Sequence, residues 1–252
     1  MVQPGEFLER SVVVKSGELS LDGLYHRGRR GPPCAIAPPH PALGGSMSVP
    51  TVAELAWALT RAGLPTLRFD YRGVGASQGR SRHPAGEGRI GDISDEVADL
   101  IAALEQLVQS TGARAACAVG YSFGAAVALG VAQTPAVERV VLVAPPTTLW
   151  DFSATRELRK PLLVVCAHHD PLCERSRLEL PEGAQLAVIA HSDHLFLRGL
   201  PELGRTVAAW IGSGPEGPQL RAADAANDSV PEASRELELP ESPDPPLELD
   251  ES

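Results

Sequence analysis

The stretch "AACAVGYSFGAAVALGVA", residues 115–132, is an apolar run broken at its centre by Ser122, with Gly120 and Gly124 two positions to either side. Its first half has the small and β-branched character of a strand buried on both faces, and its second half reads as a helix of small residues. A serine at that junction stands on a sharp strand-to-helix turn. Such a turn needs small residues two positions away, because larger ones collide with the turn and with the packed helix. Ser122 is therefore a candidate nucleophile. The amide of Phe123, first in the helix, falls where backbone donors and the helix dipole stabilise a developing oxyanion.

Outward from this turn, strand-like and helix-like segments alternate. Residues 10–27, "RSVVVKSGELSLDGLYHR", read as a hairpin turning near Ser16 and Gly17, and "PCAIAPP" (33–39) as a short strand. The segment 47–63 has apolar residues at helical spacing and stops at Gly63. "PTLRFD" (65–70) is a strand. Residues 92–112 form a second amphipathic helix, with Asp92, Ser94 and Asp95 as capping candidates and Gly112 at its end. Beyond the serine come strands "ERVVLVAP" (138–145), "PLLVVCA" (161–167) and "AQLAVIA" (184–190), then a last helix from about Arg198 to Trp210. Strands separated by single helices imply right-handed crossovers and a mostly parallel, doubly wound α/β sheet with helices on both faces. No internal repeat interrupts this order.

Charge divides the chain. Residues 213–252 carry eleven acidic residues against Arg221 and Arg235, a net −9 out of −10 for the whole chain. This segment is rich in Pro, Glu, Asp and Ser without apolar periodicity, so it is expected to be a disordered acidic tail following a folded domain over residues 1–212. The nearly neutral remainder argues against a nucleic-acid footprint. The N-terminal "MVQPGEFLERSVVVKSG" lacks a basic segment followed by a sustained apolar stretch, so neither a signal peptide nor a membrane anchor is expected, and the expected location is cytoplasmic. Cys34, Cys117, Cys166 and Cys173 show no paired spacing for zinc or redox chemistry and read as buried thiols; no metal and no cofactor is expected.

A serine hydroxyl is a weak nucleophile and needs a base within hydrogen-bond reach, oriented by a third group. In doubly wound hydrolases these partners follow in the order Ser, Asp or Glu, His, in loops at the carboxyl ends of later strands. Asp170 in "HHDPLC" (168–173) is the candidate acid, with Glu174 and Asp193 as rivals. His194 in "HSDHLFLRG" (191–199) is the candidate base, with His191 as rival. His168 and His169 lie too near Asp170 along one loop to be its partners, and Asp193 is expected to orient its own loop by bonding backbone amides. The loop "PPHPALGGSM" (38–47) is expected to complete an oxyanion hole; Pro41 has no amide, so Ala42 or Leu43 must supply it, with His40 shaping the loop. Residues 146–160 are too few for a helical cap domain, which leaves an open site with Trp150 and Phe152 as candidate walls.

Five segments in this order, "PHPALGGSM", "LRFDYRGVGASQG", "AVGYSFGAAVA", "LLVVCAHHD" and "SDHLFLRG", resemble those of the small cap-less bacterial α/β-hydrolases over Ser11 to Trp210. The resemblance implies the α/β-hydrolase fold, Ser122 as nucleophile, Asp170 as acid and His194 as base. It also implies that Gly73 and Gly75 shape a loop near the site without doing chemistry. The chain departs from many relatives at "CAHHD" (166–170), where they have a glycine before the acidic loop, and after the final histidine at Leu195 and Phe196, where they have an aromatic pair. The expected function is acyl transfer on small accessible carboxylic esters or thioesters. Peptide hydrolysis, transfer to another acceptor, or a silent interaction module recruiting a basic partner through the acidic tail are the alternatives.

Overall fold

Burial along the central strands alternates between two separate cores, which is why those strands have no polar face. The first core takes Val140 and Leu142 of one strand and Leu162, Val164 and Cys166 of the next; the second takes Val141, Val143, Leu163, Val165 and Ala167. A strand flanked by apolar residues on both faces requires a layer of helices on each side. The computed structural model describes residues 8–83 and 91–213 of the 252. The expected acidic tail lies outside them, apart from Ser213.

The elements, in chain order, are β1 (Arg10–Ser16), β2 (Leu19–His26), β3 (Cys34–Ala37), α1 (Pro50–Arg61), β4 (Thr66–Phe69), α2 (Ser94–Thr111), β5 (Ala116–Tyr121), α3 (Phe123–Gly130), β6 (Val137–Val143), β7 (Leu162–Ala167), β8 (Gln185–Ile189) and α4 (Leu200–Gly212). They build one eight-stranded sheet in the order β1-β2-β4-β3-β5-β6-β7-β8. Antiparallel pairing is confined to β1 with β2 and β2 with β4; β4, β3, β5, β6, β7 and β8 run parallel. Helices α1 and α4 cover one face and α2 and α3 the other. All parallel strands therefore send their loops to one edge, where ligands bind in folds of this kind.

Local chemistry sets the boundaries. Helix α2 starts at Ser94, with Ile93 rather than an acidic residue at its cap, and Asp92 instead accepts a bond from the Ser94 amide (2.9 Å). Of the other capping candidates, Asp95 pairs with Arg72 (2.7 Å). Gly112 ends α2 in the left-handed conformation, as expected of a glycine stop. The buried carboxylate of Asp99 accepts from Ser16 Oγ (2.7 Å) and from the Arg72 amide (3.0 Å) and guanidinium (2.7 Å), which ties the Gly73–Gly75 loop to α2. Asp70 in turn accepts from the Met47 amide (2.6 Å), linking β4 to the loop after β3.

The two glycines around Ser122 are required by backbone contacts. A Cβ on Gly120 would lie 2.0 Å from the Gly124 carbonyl oxygen, and one on Gly124 would lie 2.2 Å from that of Ala37. Neither neighbour is a flexible side-chain end, so β3, β5 and α3 would have to separate. Gly124→Ala is expected to destabilise the fold by about 3 kcal/mol or more, at the upper end of overpacking costs. Urea unfolding measures this, and an unchanged midpoint would contradict the packing described here.

Candidate active site

Ser122 sits where β5 gives way to α3. Its amide continues the ladder to the Val143 carbonyl (2.8 Å), and its own carbonyl accepts the first helical bond from Ala125 (2.8 Å). Between these two obligations the residue is forced to φ 55° and ψ −118°, a strained conformation for a residue with a Cβ. The strain lifts the side chain off the end of the sheet.

Two loops from later strands meet it there. Ser122 Oγ is 2.9 Å from His194 Nε2, and His194 Nδ1 is 2.8 Å from Asp170 Oδ2. The other carboxylate oxygen, Oδ1, accepts from the amides of Leu172 (2.9 Å) and Cys173 (3.2 Å). Because the Asp170 side chain is fully buried and bonded on both oxygens, its orientation is fixed by its own loop. With Nδ1 donating to Asp170, the lone pair of Nε2 faces Ser122.

The histidine loop has its own supports. Asp193 accepts from the Leu197 amide (3.1 Å) through its side chain and from the Phe196 amide (3.0 Å) through its carbonyl, so this carboxylate orders the loop rather than meeting an imidazole. Of the rival groups, His191 is exposed at φ 53°, and Glu174 pairs with Arg177 and accepts from Ser176 Oγ. His168 and His169 are exposed and meet edge to face, with ring centroids 4.4 Å apart and His168 Nδ1 3.2 Å from His169 Nε2.

Other expected residues fall elsewhere. The Ala42 amide donates to His40 Nδ1 (3.2 Å) and the Leu43 amide to the His40 carbonyl (3.1 Å), so both N–H groups are engaged inside the turn Pro41–Leu43. The expectation that either stands open for a substrate oxygen is corrected accordingly. The cause is the His40 ring, which caps the turn while packing against Phe123 (centroids 4.8 Å). Phe123 has its ring buried, and its amide begins α3, where no carbonyl of the helix precedes it. Phe152 is 2% exposed and its ring belongs to the core beneath α2 and α3, although it also borders the groove beside Trp150. Trp150 is half-buried beside a groove of about 330 Å³ that also touches Thr148 and Arg177.

All four cysteines are buried and free. The Cys166 and Cys173 sulfurs lie 2.9 Å apart, and this contact together with burial pushes the Cys173 thiol upward; burial does the same to Cys117. Protonated thiols are poor nucleophiles. Among the described residues no group of three or more His, Cys, Asp or Glu side chains is arranged to hold a metal ion, and no helix is long and apolar enough to cross a membrane.

One residue at the site went unnoticed in the motif. Tyr121, immediately before the serine, donates its hydroxyl to the His194 carbonyl (3.0 Å), and Thr51 of α1 donates to the Leu195 carbonyl (3.3 Å).

Comparison with known proteins agrees with this architecture. The family model "Serine aminopeptidase, S33" (Hydrolase_4) matches residues 43–156. An uncharacterized protein of Rickettsia prowazekii is 31% identical over 140 residues, 53% of this chain and 55% of that one. An uncharacterized protein of Mycobacterium tuberculosis is 38% identical over 159 residues, 62% and 52% of the two chains. The chain thus spans about half the length of the curated relatives it matches. Among solved structures, an α/β serine hydrolase homologue from Coxiella burnetii is 28% identical with a TM-score of 0.68, covering 79% of this chain and 95% of that chain. A Xanthomonas campestris protein described as an α/β serine hydrolase without lid is 26% identical with a TM-score of 0.65, covering 78% and 90%. A dienelactone hydrolase from Anabaena variabilis, 23% identical with a TM-score of 0.66 over 81% and 96%, shares the fold.

Proposed function

We propose that this chain, a cap-less protein of the α/β-hydrolase superfamily, hydrolyses small carboxylic esters or thioesters by acyl transfer through Ser122, His194 and Asp170. The observation that carries the reading is the continuous bond chain from Ser122 Oγ to His194 (2.9 Å) and from His194 to Asp170 (2.8 Å), at the sheet edge where every parallel strand delivers its loop. In the first half-reaction Oγ attacks the acyl carbon as Nε2 takes its proton, and Asp170 holds the imidazole so that the new positive charge is stabilised. The oxyanion is met by the Phe123 amide at the start of α3; the Ala42 amide joins only by giving up its bond to His40. His194 then returns the proton to the leaving alkoxide or thiolate. In the second half-reaction it deprotonates a water that attacks the acyl-enzyme and releases the acid.

Two features support esters over peptides. A peptidase that trims free amino termini needs a carboxylate to receive the ammonium group. Asp170 is bonded to His194, Asp193 to the Leu197 amide and Glu174 to Arg177, so these three carboxylates already have partners. In addition Leu43, Leu149, Leu195 and Leu197, on the loops after β3, β6 and β8, are each more than half exposed, an apolar surround suited to an acyl chain.

A paired assay of p-nitrophenyl esters and aminoacyl p-nitroanilides tests this. The ester is expected to have the larger kcat/KM by a factor on the order of 100. Lengthening the acyl chain from acetyl to butanoyl is expected to raise kcat/KM by at most about fourfold per methylene, since each buried CH2 contributes about 0.8 kcal/mol. Faster cleavage of the anilides would overturn the ester assignment and favour the peptidase reading.

A further inference from the structure

Between the two glycines of the serine turn, the residue preceding Ser122 has a larger task than filling space. Tyr121 is 3% exposed at the end of β5, and a phenol buried this far costs free energy unless its hydroxyl is bonded. The partner it finds is not a nearby backbone group of its own strand. Its O–H donates over 3.0 Å to the main-chain carbonyl of His194, seventy-three positions away, while its ring lies 5.9 Å from the imidazole at an interplanar angle of 31°.

We propose that Tyr121 is a positioning residue, which fixes the main chain of His194 relative to that of the adjacent Ser122 and so sets the distance between nucleophile and base. This proposal rests on the serine-hydrolase reading of the same site. The bond from Asp170 to Nδ1 governs how the imidazole is turned about its side-chain torsions. That bond, and the one the His169 amide donates to the Ser192 carbonyl (2.8 Å), tie the His194 loop to the Asp170 loop, and neither joins it to the strand that carries Ser122. The Tyr121 bond supplies that constraint from the residue covalently joined to Ser122. Thr51 adds a second, longer restraint one residue further on, at the Leu195 carbonyl (3.3 Å).

The restraint also survives changes in pH. Burial, with the negative charges of Asp170 and Asp193 acting in the same direction and the Thr51 side chain opposing, pushes the Tyr121 phenol up to about 12, so its hydroxyl stays a neutral donor throughout the range in which a histidine base works. The loop it holds is under tension: Phe196, two residues on, is fully buried at φ 53° and packs on the Tyr121 ring (centroids 6.3 Å). A loop held in such a conformation relaxes when a restraint is removed.

The test compares full-length wild type, Tyr121→Phe, Thr51→Val and the double variant. Tyr121→Phe keeps the ring and removes only the hydroxyl. Its kcat on p-nitrophenyl acetate is expected to fall by about 5- to 10-fold with KM within about twofold, because a displacement of the base well under 1 Å lowers reactivity without touching substrate binding. Labelling of Ser122 by a fluorophosphonate is expected to slow by the same factor, and the double variant to lose more than the product of the single losses. The proton resonance on His194 Nδ1 is expected to broaden through faster exchange with water in Tyr121→Phe. A Tyr121→Phe protein with wild-type kcat and a sharp Nδ1 resonance would overturn the proposal. So would a fall in kcat that matches a loss of folded protein while the resonance is unchanged, since that would make Tyr121 a core residue only. If wild type itself fails to label at Ser122, the hydrolase reading fails, and the Nδ1 resonance still decides whether Tyr121 holds the imidazole in place.

Discussion

Ser122→Ala is expected to lower kcat on any ester substrate by a factor on the order of 10⁵ to 10⁶ while leaving the protein folded, because removing the nucleophile of a triad costs about as much as removing all of it. The side chain contributes little to the fold: its Oγ meets His194, whereas the bonds that build the turn, from the Ser122 amide to Val143 and from Ala125 to the Ser122 carbonyl, belong to the backbone and persist in alanine. Alanine must still adopt φ 55°, as serine does, so the strain is common to both proteins. Steady-state turnover beside circular dichroism and urea unfolding separates the two effects. A folded Ser122→Ala protein that retains more than about a hundredth of wild-type kcat would mean that the chemistry runs through another group.

Asp170→Asn is the second large effect, expected to lower kcat by about 10⁴-fold. The reasoning follows from what each carboxylate oxygen touches. Oδ1 accepts from the amides of Leu172 and Cys173, so an asparagine must place its carbonyl oxygen there and its NH₂ in the position of Oδ2, facing His194 Nδ1. Facing a donor, Nδ1 becomes the acceptor and the imidazole proton moves to Nε2, where it points at Ser122 Oγ and can no longer receive the hydroxyl proton. Two backbone amides thus lock the substituted side chain in the orientation that inactivates the base. The expected signature is a collapse of kcat at neutral pH with the fold intact. Retention of more than about a tenth of wild-type activity would show that Asp170 does not set the imidazole tautomer.

The mostly parallel sheet and the strand-to-helix turn at Ser122 were legible in the sequence because they follow from local rules, whereas Asp170 and His194 were singled out by their order along the chain after the serine. Strands buried on both faces announce a parallel sheet, and the glycine spacing around Ser122 follows from contacts that any Cβ would violate. What escaped the sequence depends on side chains distant along the chain. The engagement of the Ala42 and Leu43 amides requires knowing that the His40 ring folds back over its own turn against Phe123. Phe152 lies in a loop by sequence, but its ring is drawn into the core. The bonds from Tyr121 to His194 and from Thr51 to Leu195 span 73 and 144 positions, and no periodicity links such pairs. Helix α2 begins after an aspartate that bonds the Ser94 amide from just outside it, a turn that composition alone does not distinguish from a cap.

The measurement that bears most directly on the central claim is labelling of the purified protein with a fluorophosphonate, with the adduct located by mass spectrometry in wild type, Ser122→Ala and His194→Ala. The expected result is a single adduct on Ser122 in wild type, none in Ser122→Ala, and formation slowed by several orders of magnitude in His194→Ala. A folded wild-type protein that takes up no label, or one labelled at a residue other than Ser122, would contradict the account.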